Sequence, residues 1–473
     1  MAGLGRGRMC RAKAALTAGM AAVAGLAGLT GAAWRAPAAA ATRDPGGATI
    51  SVLYSDNYVF DTDALATTWW RSIARQWTKL DPSAPLHEIG VGGTDVDEMS
   101  RAALLFRHPS ETPCVIQLPT SYIGELAGAG RLAPLDSYLN GASAPGFWTG
   151  MPAGVQQMGS IDGTVYAVDA GSTDSALLYD KAMLEKAGVP VPWAPKSWQD
   201  IVTVAEKVHR AEPKVWPLWL ASGNAVGPTN VLEGIGNLLE GSTNPTMFDA
   251  RTNKWVTDSP GLQATLQLYK TVAEEGLNAP ASQLLAADSV GQPPLLMQQG
   301  DLAIAVGANW YTGEWLPDGG APWSEAAQQI GIAPIPTEYG QAPGSATTLG
   351  GWAWAITATC SDKAAAFRFI TLAQQPTNQL ETAAWSGLVP PDTSVGTERA
   401  FAGSALYQLQ FSTYAEHGTA LPNDVSFPVY ARALDTVTGD FALHPTTSIA
   451  AALSTMNQLI TEQLGPGSTE TQS

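Results

Sequence analysis

Patterns of apolar strands and amphipathic helices alternate along the first part of the chain. Short apolar runs predict strands, and apolar residues recurring every three or four positions predict a helix with Trp69 and Trp77 facing the core. The predicted strands are 50–54, 86–91 and 114–118, and the predicted helices are 61–80 and 99–106. Strand–helix–strand alternation is typical of an α/β domain with a parallel sheet.

The middle and end of the chain carry more helical patterns. Ser197 followed by Asp200 forms a capping-box pattern, which predicts a helix over 197–209. Trp193 and Trp198 flank this start and are predicted to pack there. Further predicted helices are 262–275 and 362–373, and further predicted strands are 303–306, 330–335 and 350–357.

The N-terminus has the pattern of a targeting segment. Basic residues precede an uncharged stretch at 14–34, and an alanine-rich segment follows. This pattern predicts a secretory signal peptide over 1–41, cleaved near Ala41. The stretch is also long enough, at about 20 residues, to span a bilayer, so an uncleaved anchor is the alternative. Its alanine and glycine content favours cleavage.

Composition and charge exclude several classes of protein. The 473 residues suffice for two or three domains, and 45% apolar with 14% charged residues excludes a disordered chain. The net charge is −17. Removal of 1–41, which hold five basic and no acidic residues, leaves 20 basic against 42 acidic residues and a charge of −22. Such a surface repels nucleic acid, and no nucleic-acid partner is expected.

Catalytic and metal-binding motifs are missing from the sequence. The five histidines show no metal-ligand spacing, and residues after the signal contain neither a nucleophile elbow nor a P-loop. We therefore predict no catalytic residue, no metal and no cofactor. A glycosidase draws its two carboxylates from distant positions, so a secreted carbohydrate-active enzyme stays open as a less favoured alternative.

Several segments in order resemble one family. They are PCVIQLPTSYIGELAGAGRLAPLDSYL (113–139), DGTVYAVDAGSTDSALLYDKAMLEKAGV (162–189) with PKSWQDIVTVAEKV (195–208), QQGDLAIAVGANW (298–310), and IGIAPIP (330–336) with TLGGWAWAITATCSDKAAAFRFITLA (348–373). Together they resemble the carbohydrate-binding, maltose-binding-protein-like extracellular solute-binding proteins of ABC importers.

This resemblance implies a two-lobed periplasmic-binding-protein type II fold of the α/β class. Each lobe is a mixed sheet flanked by helices, and a hinge joins the lobes. The expected first lobe is 48–169 plus 354–398, the second is 170–353 plus 399–465, and 466–473 is expected to be a flexible tail. The chain is expected to cross between the lobes near 169–170, 350–354 and 395–402.

The resemblance also bears on the cysteines. Cys10 lies in the signal segment. In this fold the start of the strand at Cys114 lies beside the end of the strand before Cys360, so the two form either a disulfide or two free thiols. Lipid-anchored members carry a cysteine after the signal, whereas Ala32 stands at the matching place here. A secreted, cell-surface or periplasmic protein without a lipid anchor is expected.

The implied function is capture of a disaccharide or oligosaccharide by hinge closure, followed by delivery to the membrane subunits of an ABC permease. The protein is expected to be a monomer and not an enzyme. The main alternative is the same fold binding a solute that is not a sugar.

Candidate ligand-binding residues follow from the chemistry of sugars. A sugar site needs aromatic faces beside planar polar side chains, at strand ends that face the cleft. The candidates are Asp56, Asn57, Thr120, Tyr122, Asp174, Trp310, Gly351 and Trp352. Structural alternatives stay open: Asp56 and Asn57 as turn residues, Tyr122 as packing, and Asp174 as a helix cap. Packing is favoured over binding for Trp219, Asn224, Trp315 and Trp385.

Overall fold

The computed structural model of the chain describes residues 49–55, 63–92, 95–140, 146–224, 227–317, 319–396, 408–416 and 418–473. The predicted signal peptide, together with Asp56 and Asn57, lies outside these residues. Within the described part, no helix is long and apolar enough to cross a membrane.

The elements alternate as the sequence predicts. Up to Thr173 they are β1 (Ile50–Ser55), α1 (Asp63–Leu80), β2 (Leu86–Val91), α2 (Asp95–Leu105), β3 (Val115–Pro119), a 3-10 turn (Thr120–Tyr122), α3 (Ile123–Gly128), α4 (Asp136–Leu139), α5 (Ala153–Gln157), β4 (Ser160–Ile161), β5 (Thr164–Val165) and β6 (Ala167–Thr173). From Ser175 they are β7 (Ser175–Asp180), α6 (Lys181–Lys186), α7 (Trp198–Ala211), β8 (Trp216–Trp219), α8 (Thr229–Glu233), α9 (Ile235–Glu240), β9 (Phe248–Asp249), β10 (Lys254–Asp258), α10 (Pro260–Glu274), α11 (Ala281–Leu284), a 3-10 turn (Ser289–Gly291), α12 (Gln292–Gln299), β11 (Leu302–Ala308), α13 (Tyr311–Glu314), α14 (Ala326–Gln329) and β12 (Ile330–Ala333). The remaining described elements are β13 (Thr348–Ile356), α15 (Lys363–Ala373), α16 (Pro376–Ser386), α17 (Thr393–Gly396), α18 (Gln408–Ala415), β14 (Thr419–Ala420), α19 (Phe427–Leu443), α20 (Ile449–Leu464) and β15 (Thr469–Thr471).

Two mixed sheets organise these elements. The first has the order β14-β13-β3-β1-β2, with β6 also on β13. Its strands β1, β2 and β3 are parallel, whereas β13 runs antiparallel to β3 and β6. The second has the order β12-β7-β11-β8. The fold is therefore the expected mixed α/β architecture, with a separate sheet for each lobe.

The chain changes sheets later than predicted at the first crossing and earlier at the second. β6 stays paired with β13 as far as Thr173, and β7 begins in the second sheet at Ser175. The first crossing therefore lies at Asp174 rather than near 169–170. β13 joins the first sheet from its start, so the second crossing precedes Thr348 instead of falling at 350–354. The reason is that β6 and β7 are both buried throughout, and strands without an exposed face do not reveal which sheet holds them. The third predicted crossing lies largely outside the described residues.

The prediction of a flexible tail is wrong for the end of the chain. β15 pairs with β10 in parallel, in a small sheet of order β15-β10-β9. Backbone hydrogen bonds from Trp255 to Ser468 and from Gln472 to Asp258, at 3.0 and 2.8 Å, hold it there. The polar sequence concealed this strand because backbone pairing, not apolar burial, forms it.

Aromatic packing in the first lobe accounts for several of the 16 tryptophans. Trp69 and Trp77 are buried as predicted, and they share one cluster with Trp70, Trp354 and Phe369. Trp69 stacks on Trp354 with ring centres 6.2 Å apart. At the end of the same helix, Leu80 is exposed.

Other local predictions also hold. The capping box of α7 is present, because Ser197 accepts from the Asp200 N–H and the Asp200 carboxylate accepts from the Ser197 N–H. Trp193 and Trp198 are buried against it. Cys114 and Cys360 are joined by a disulfide, with Cα atoms 4.5 Å apart.

Candidate functional site

The two sheet crossings are tied together by hydrogen bonds. The Ser175 N–H at the start of β7 donates to Thr347 Oγ1 at 2.8 Å. At the start of β13, the Thr348 N–H donates to Asn237 Oδ1 of α9 at 2.9 Å, and Thr348 Oγ1 donates to the Leu232 carbonyl of α8. This network places α8 and α9 of the second lobe against the strands that connect the lobes.

Trp310 lies at the end of β11, where the second lobe meets the segment after α16. Its indole N–H donates to Glu233 Oε1 at 2.7 Å. Both side chains are largely buried, at 7% and 4% exposed. A Cβ built on Gly387 would lie 3.0 Å from the Trp310 Cα, so the two backbones are in close approach. The pair therefore combines an aromatic ring with a carboxylate at the junction of the lobes.

Trp352 lies in β13 and is half-buried. It packs against the first-lobe cluster that contains Trp354 and also against the second-lobe cluster that contains Tyr311. Its partner positions in the sheet are Pro119 of β3 and Gly171 of β6. Trp352 thus contacts both lobes from within β13, after the second crossing.

Gly351 is required by its own sheet. It is a candidate ligand-binding residue, and its φ is +111°; a Cβ there would meet the Gly171 carbonyl, with the Thr173 nitrogen 2.8 Å away. The neighbour in close approach is β6. Gly350 has a similar role, since its Cβ would meet Leu232 of α8 at 2.6 Å.

Thr120 and Tyr122 belong to the 3-10 turn after β3. Thr120 is buried and lines a crevice of about 10 Å³ with Ser121 and Asn423, which has room for about one water molecule. Tyr122 is half-buried and packs on the first-lobe cluster around Ile123 and Leu118. Its surroundings match the packing alternative.

Asp174 does not cap a helix. The cap of the following helix α6 is Asp180, which accepts from the Met183 N–H at 2.8 Å. Asp174 is fully buried, and neither of its carboxyl oxygens has a hydrogen-bond partner among the described residues. Burial raises the pKa of Asp174 well above its usual value. It lies at the crossing itself, where a contact with ligand would need the backbone to move.

Two further acidic groups near the crossings have raised pKa values. Burial raises the pKa of Asp169 in β6 to about 7, although Ser172 Oγ and the Gly171 N–H donate to its carboxyl group. Burial also raises the pKa of Glu240, at the end of α9, to about 7, against a hydrogen bond with Thr419 of β14.

The less favoured candidates have other roles or lie outside the description. Trp219 is buried, and the buried Trp315 donates its indole N–H to the Pro294 carbonyl at 3.0 Å. Asn224 is exposed, and the side chain of Trp385 is outside the described part. No group of three or more potential metal ligands was found among the described residues.

A separate cavity of about 320 Å³ lies inside the second lobe between β8, α10 and α19. Its polar wall includes Asn278 and Ser222, whose side chains already bond the backbone of Leu220. None of the predicted site residues lines it.

The sequence was compared with models of protein families. The model described as "bacterial extracellular solute-binding protein" matches residues 96–407, about two thirds of the chain. The chain belongs to this family. Its members and structural neighbours are binding proteins rather than enzymes.

The fold of this solute-binding protein is shared by many solved structures. Maltose-bound MalE3 of T. maritima superposes with a TM-score of 0.70 at 19% identity, over 87% of this chain and 99% of the other. The sugar-binding protein MalE of Xanthomonas citri gives 0.70 at 18%, over 88% and 98%. A solute-binding protein of Agrobacterium radiobacter in complex with ribitol gives 0.69 at 16%, over 88% and 98%. These likenesses confirm the predicted two-lobed fold.

Sequence reasoning missed several residues of the solute-binding protein's hinge. Glu233, Asn237, Thr347 and Thr348 are buried and polar at the crossings, yet none was a candidate. Their positions at the crossings depend on contacts between residues that are distant in sequence, such as that between Trp310 and Glu233. The one local signal is a polar residue within an otherwise apolar segment. The sequence alone does not show that such a residue is buried.

Proposed function

We propose that this solute-binding protein captures a disaccharide or oligosaccharide between its two lobes and delivers it to an ABC permease. Family membership supports the binding role. The neighbours from T. maritima and Xanthomonas citri, described as maltose-bound and sugar-binding, support the ligand class. The N-terminal pattern and the family description support a site of action outside the cytoplasm.

The observation that carries the sugar assignment is the Trp310–Glu233 pair at the junction of the lobes. An aromatic ring packs on the C–H face of a sugar, and a carboxylate accepts from its hydroxyl groups. The bond between the two side chains fixes the ring relative to the carboxylate. Trp352, half-buried at the same junction, supplies a second aromatic face on the connecting strand.

The charge of the region favours an uncharged ligand. Glu233 lies at the lobe junction, and the chain without residues 1–41 carries a charge of −22. A phosphorylated sugar would be repelled. A sugar alcohol is the second candidate, since the Agrobacterium radiobacter neighbour is in complex with ribitol.

The test is a thermal-shift panel of uncharged sugars, ribitol and sugar phosphates, followed by calorimetric titration of each compound that shifts the transition. A ligand at about 100 times its dissociation constant adds about 2.7 kcal/mol to the free energy of unfolding. A sugar should stabilise the protein, and the recovered sugar should be chemically unchanged. No shift with any sugar would sink the assignment, and a shift with ribitol alone would replace it with a polyol.

Variants locate the site. Trp310→Phe and Glu233→Gln should each weaken the bound sugar by about tenfold or more, which corresponds to about 1.4 kcal/mol. Trp315→Phe is the matched control, because that buried tryptophan bonds the Pro294 backbone within the second lobe. Equal affinities for the wild-type protein and for both site variants would move the site elsewhere.

A further inference from the structure

Asp174 occupies the link between the two sheets. β6 ends at Thr173 in the first sheet and β7 begins at Ser175 in the second. Both carboxyl oxygens of Asp174 are buried, and within the part of the chain that the structure describes they have no hydrogen-bond partner. Buried polar groups in folded proteins are almost always paired, so this one requires a reason.

The surroundings of Asp174 disfavour a negative charge. Asn309 directly follows the end of β11. Its N–H donates to the Asp174 carbonyl at 3.0 Å. The Asn309 side chain donates to the Ser172 carbonyl, which leaves its own buried carbonyl oxygen unpaired. An amide oxygen is an acceptor and offers no donor to a carboxylate.

Among the residues that the structure describes, no cation offsets the burial of this group. Burial is the cause of the raised pKa of Asp174, and its own backbone is the one opposing influence. Tyr414 of α18, a helix that contacts β7, is a titratable group that interacts with the charge of Asp174. Burial, Asp174 and Tyr179 raise the pKa of Tyr414 to about 12. In β6, the carboxyl group of Asp169 already accepts a hydrogen bond from Ser172 Oγ.

The neighbouring acidic groups, unlike Asp174, accept hydrogen bonds from other residues. Asp180 accepts from the first turn of α6, and Asp169 accepts from Ser172 and Gly171. These groups have donors that stabilise a charge where they lie. In the described part of the chain no other residue donates a hydrogen bond to the Asp174 carboxyl group, which lies where the two lobes are linked.

We propose that Asp174 binds a proton in this arrangement of the lobes and releases it when the link between β6 and β7 opens to water. Asp174 is then a positioning residue of the hinge, and lobe movement is coupled to pH. A carboxyl in water has a pKa near about 4 and a buried, unpaired one a higher value. The described arrangement is therefore favoured at acid pH and loses that advantage, by up to about tenfold per pH unit, as the pH rises toward the raised pKa. The proposal deepens the proposed function, because solute capture would use the same hinge.

The experiment needs no sugar, so it can fail or succeed independently of the sugar assignment. Small-angle X-ray scattering of the wild-type protein is recorded at about pH 5 and about pH 8, with the Asp174→Asn variant beside it. Asparagine keeps the size of the side chain and cannot ionise. The wild-type radius of gyration should increase with pH, and that of Asp174→Asn should stay at its acid value.

Asp435→Asn is the matched control. Asp435 is also buried with both oxygens unpaired, and burial raises its pKa, but it lies in α19 within the core cluster of the second lobe. This variant should change unfolding by urea with pH and leave the scattering change of the wild type intact. A wild-type radius that does not change with pH, or a change that survives in Asp174→Asn, would overturn the proposal.

A second measurement uses the wild-type protein alone, in case Asp174→Asn does not fold. Hydrogen exchange of peptides covering β6 and β7, corrected for the intrinsic effect of pH, should show a loss of protection between about pH 5 and about pH 8. Peptides from α10, inside the second lobe, serve as the internal reference. Unchanged protection of β6 and β7 relative to α10 would contradict a proton-linked hinge.

Discussion

A buried carboxyl group with a pKa near 7 makes stability depend on pH, and Asp169 is such a group. Its pKa in the folded state lies above the ordinary value of 3.8. The folded state therefore holds a proton that the unfolded chain has already released. The stabilisation is complete below about pH 4 and is lost as the pH rises through about 7.

Asp169→Asn should flatten part of the pH dependence of unfolding. Between about pH 5 and about pH 8, Asp169 accounts for a decrease of about 3 kcal/mol in the free energy of unfolding, by the relation between pKa and stability. Urea denaturation at both pH values measures it. Asp136→Asn, on the short helix α4, is the comparison. Equal pH dependence in the wild type and Asp169→Asn would show that this carboxyl is charged at both pH values.

Single residues were predictable where their role is local. Trp69 and Trp77 were correctly assigned to the core because helical spacing places them on one face. Glu233 was missed because its partner Trp310 is 77 positions away and its helix has five residues. The predicted role of Trp310 stays a prediction, but its partner is visible only in three dimensions.

The approach of β6 to β13 sets a limit on side chains between these strands. Gly351 combines a positive φ with a Cβ position already occupied by the backbone of Gly171 and Thr173. An added methyl group must either strain the residue or separate the two strands. The sequence identified Gly351 only as a candidate ligand-binding residue and did not show that a strand approaches it.

Gly351→Ala should destabilise the protein by at least about 3 kcal/mol, since backbone strain and steric overlap act together. Gly163→Ala is the control, because Gly163 also has a positive φ but open space around its Cβ position. It should cost about 1–2 kcal/mol. The midpoints of urea denaturation measure the loss of stability in each variant. Equal losses in the two variants would mean that β6 shifts away from residue 351 at no energetic cost.

Removal of residues 466–473 should destabilise the sheet that contains β10. The truncation breaks the pairing of Trp255, Val256 and Asp258 with β15, and each lost hydrogen bond contributes about 1 kcal/mol. We expect a decrease of about 2–4 kcal/mol in the free energy of unfolding. Deletion of Ser473 alone is the control. A truncated protein as stable as the full chain would restore the prediction of a flexible tail.

At the scale of the molecule, the disulfide between Cys114 and Cys360 closes a long segment, with a sequence separation of 246. Intact mass with and without reductant after alkylation should differ by two modified thiols. The double variant Cys114→Ser with Cys360→Ser should lose about 5 kcal/mol in the chain-entropy model. Reductant should leave the variant's stability unchanged. Two thiols alkylated without reductant would contradict the bond.

The family segments predicted the architecture better than the boundaries. Strand and helix patterns identified β1, β2, β3 and their helices, because burial against a sheet imposes clear periodicity. The crossings were displaced because continuously buried strands such as β6 and β7 have the same appearance in either sheet. The lobe boundaries as a whole stay predictions.

The pairing of β13 with β3 has a consequence for the order in which the chain is made. Synthesis delivers β1, β2 and β3 first, but their antiparallel neighbour β13 follows only after all four strands of the second sheet. Contacts so distant in sequence form slowly, and an incomplete sheet leaves a strand edge exposed meanwhile. In the nascent first lobe, β3 therefore stays unpaired on one side until the ribosome has completed most of the second lobe.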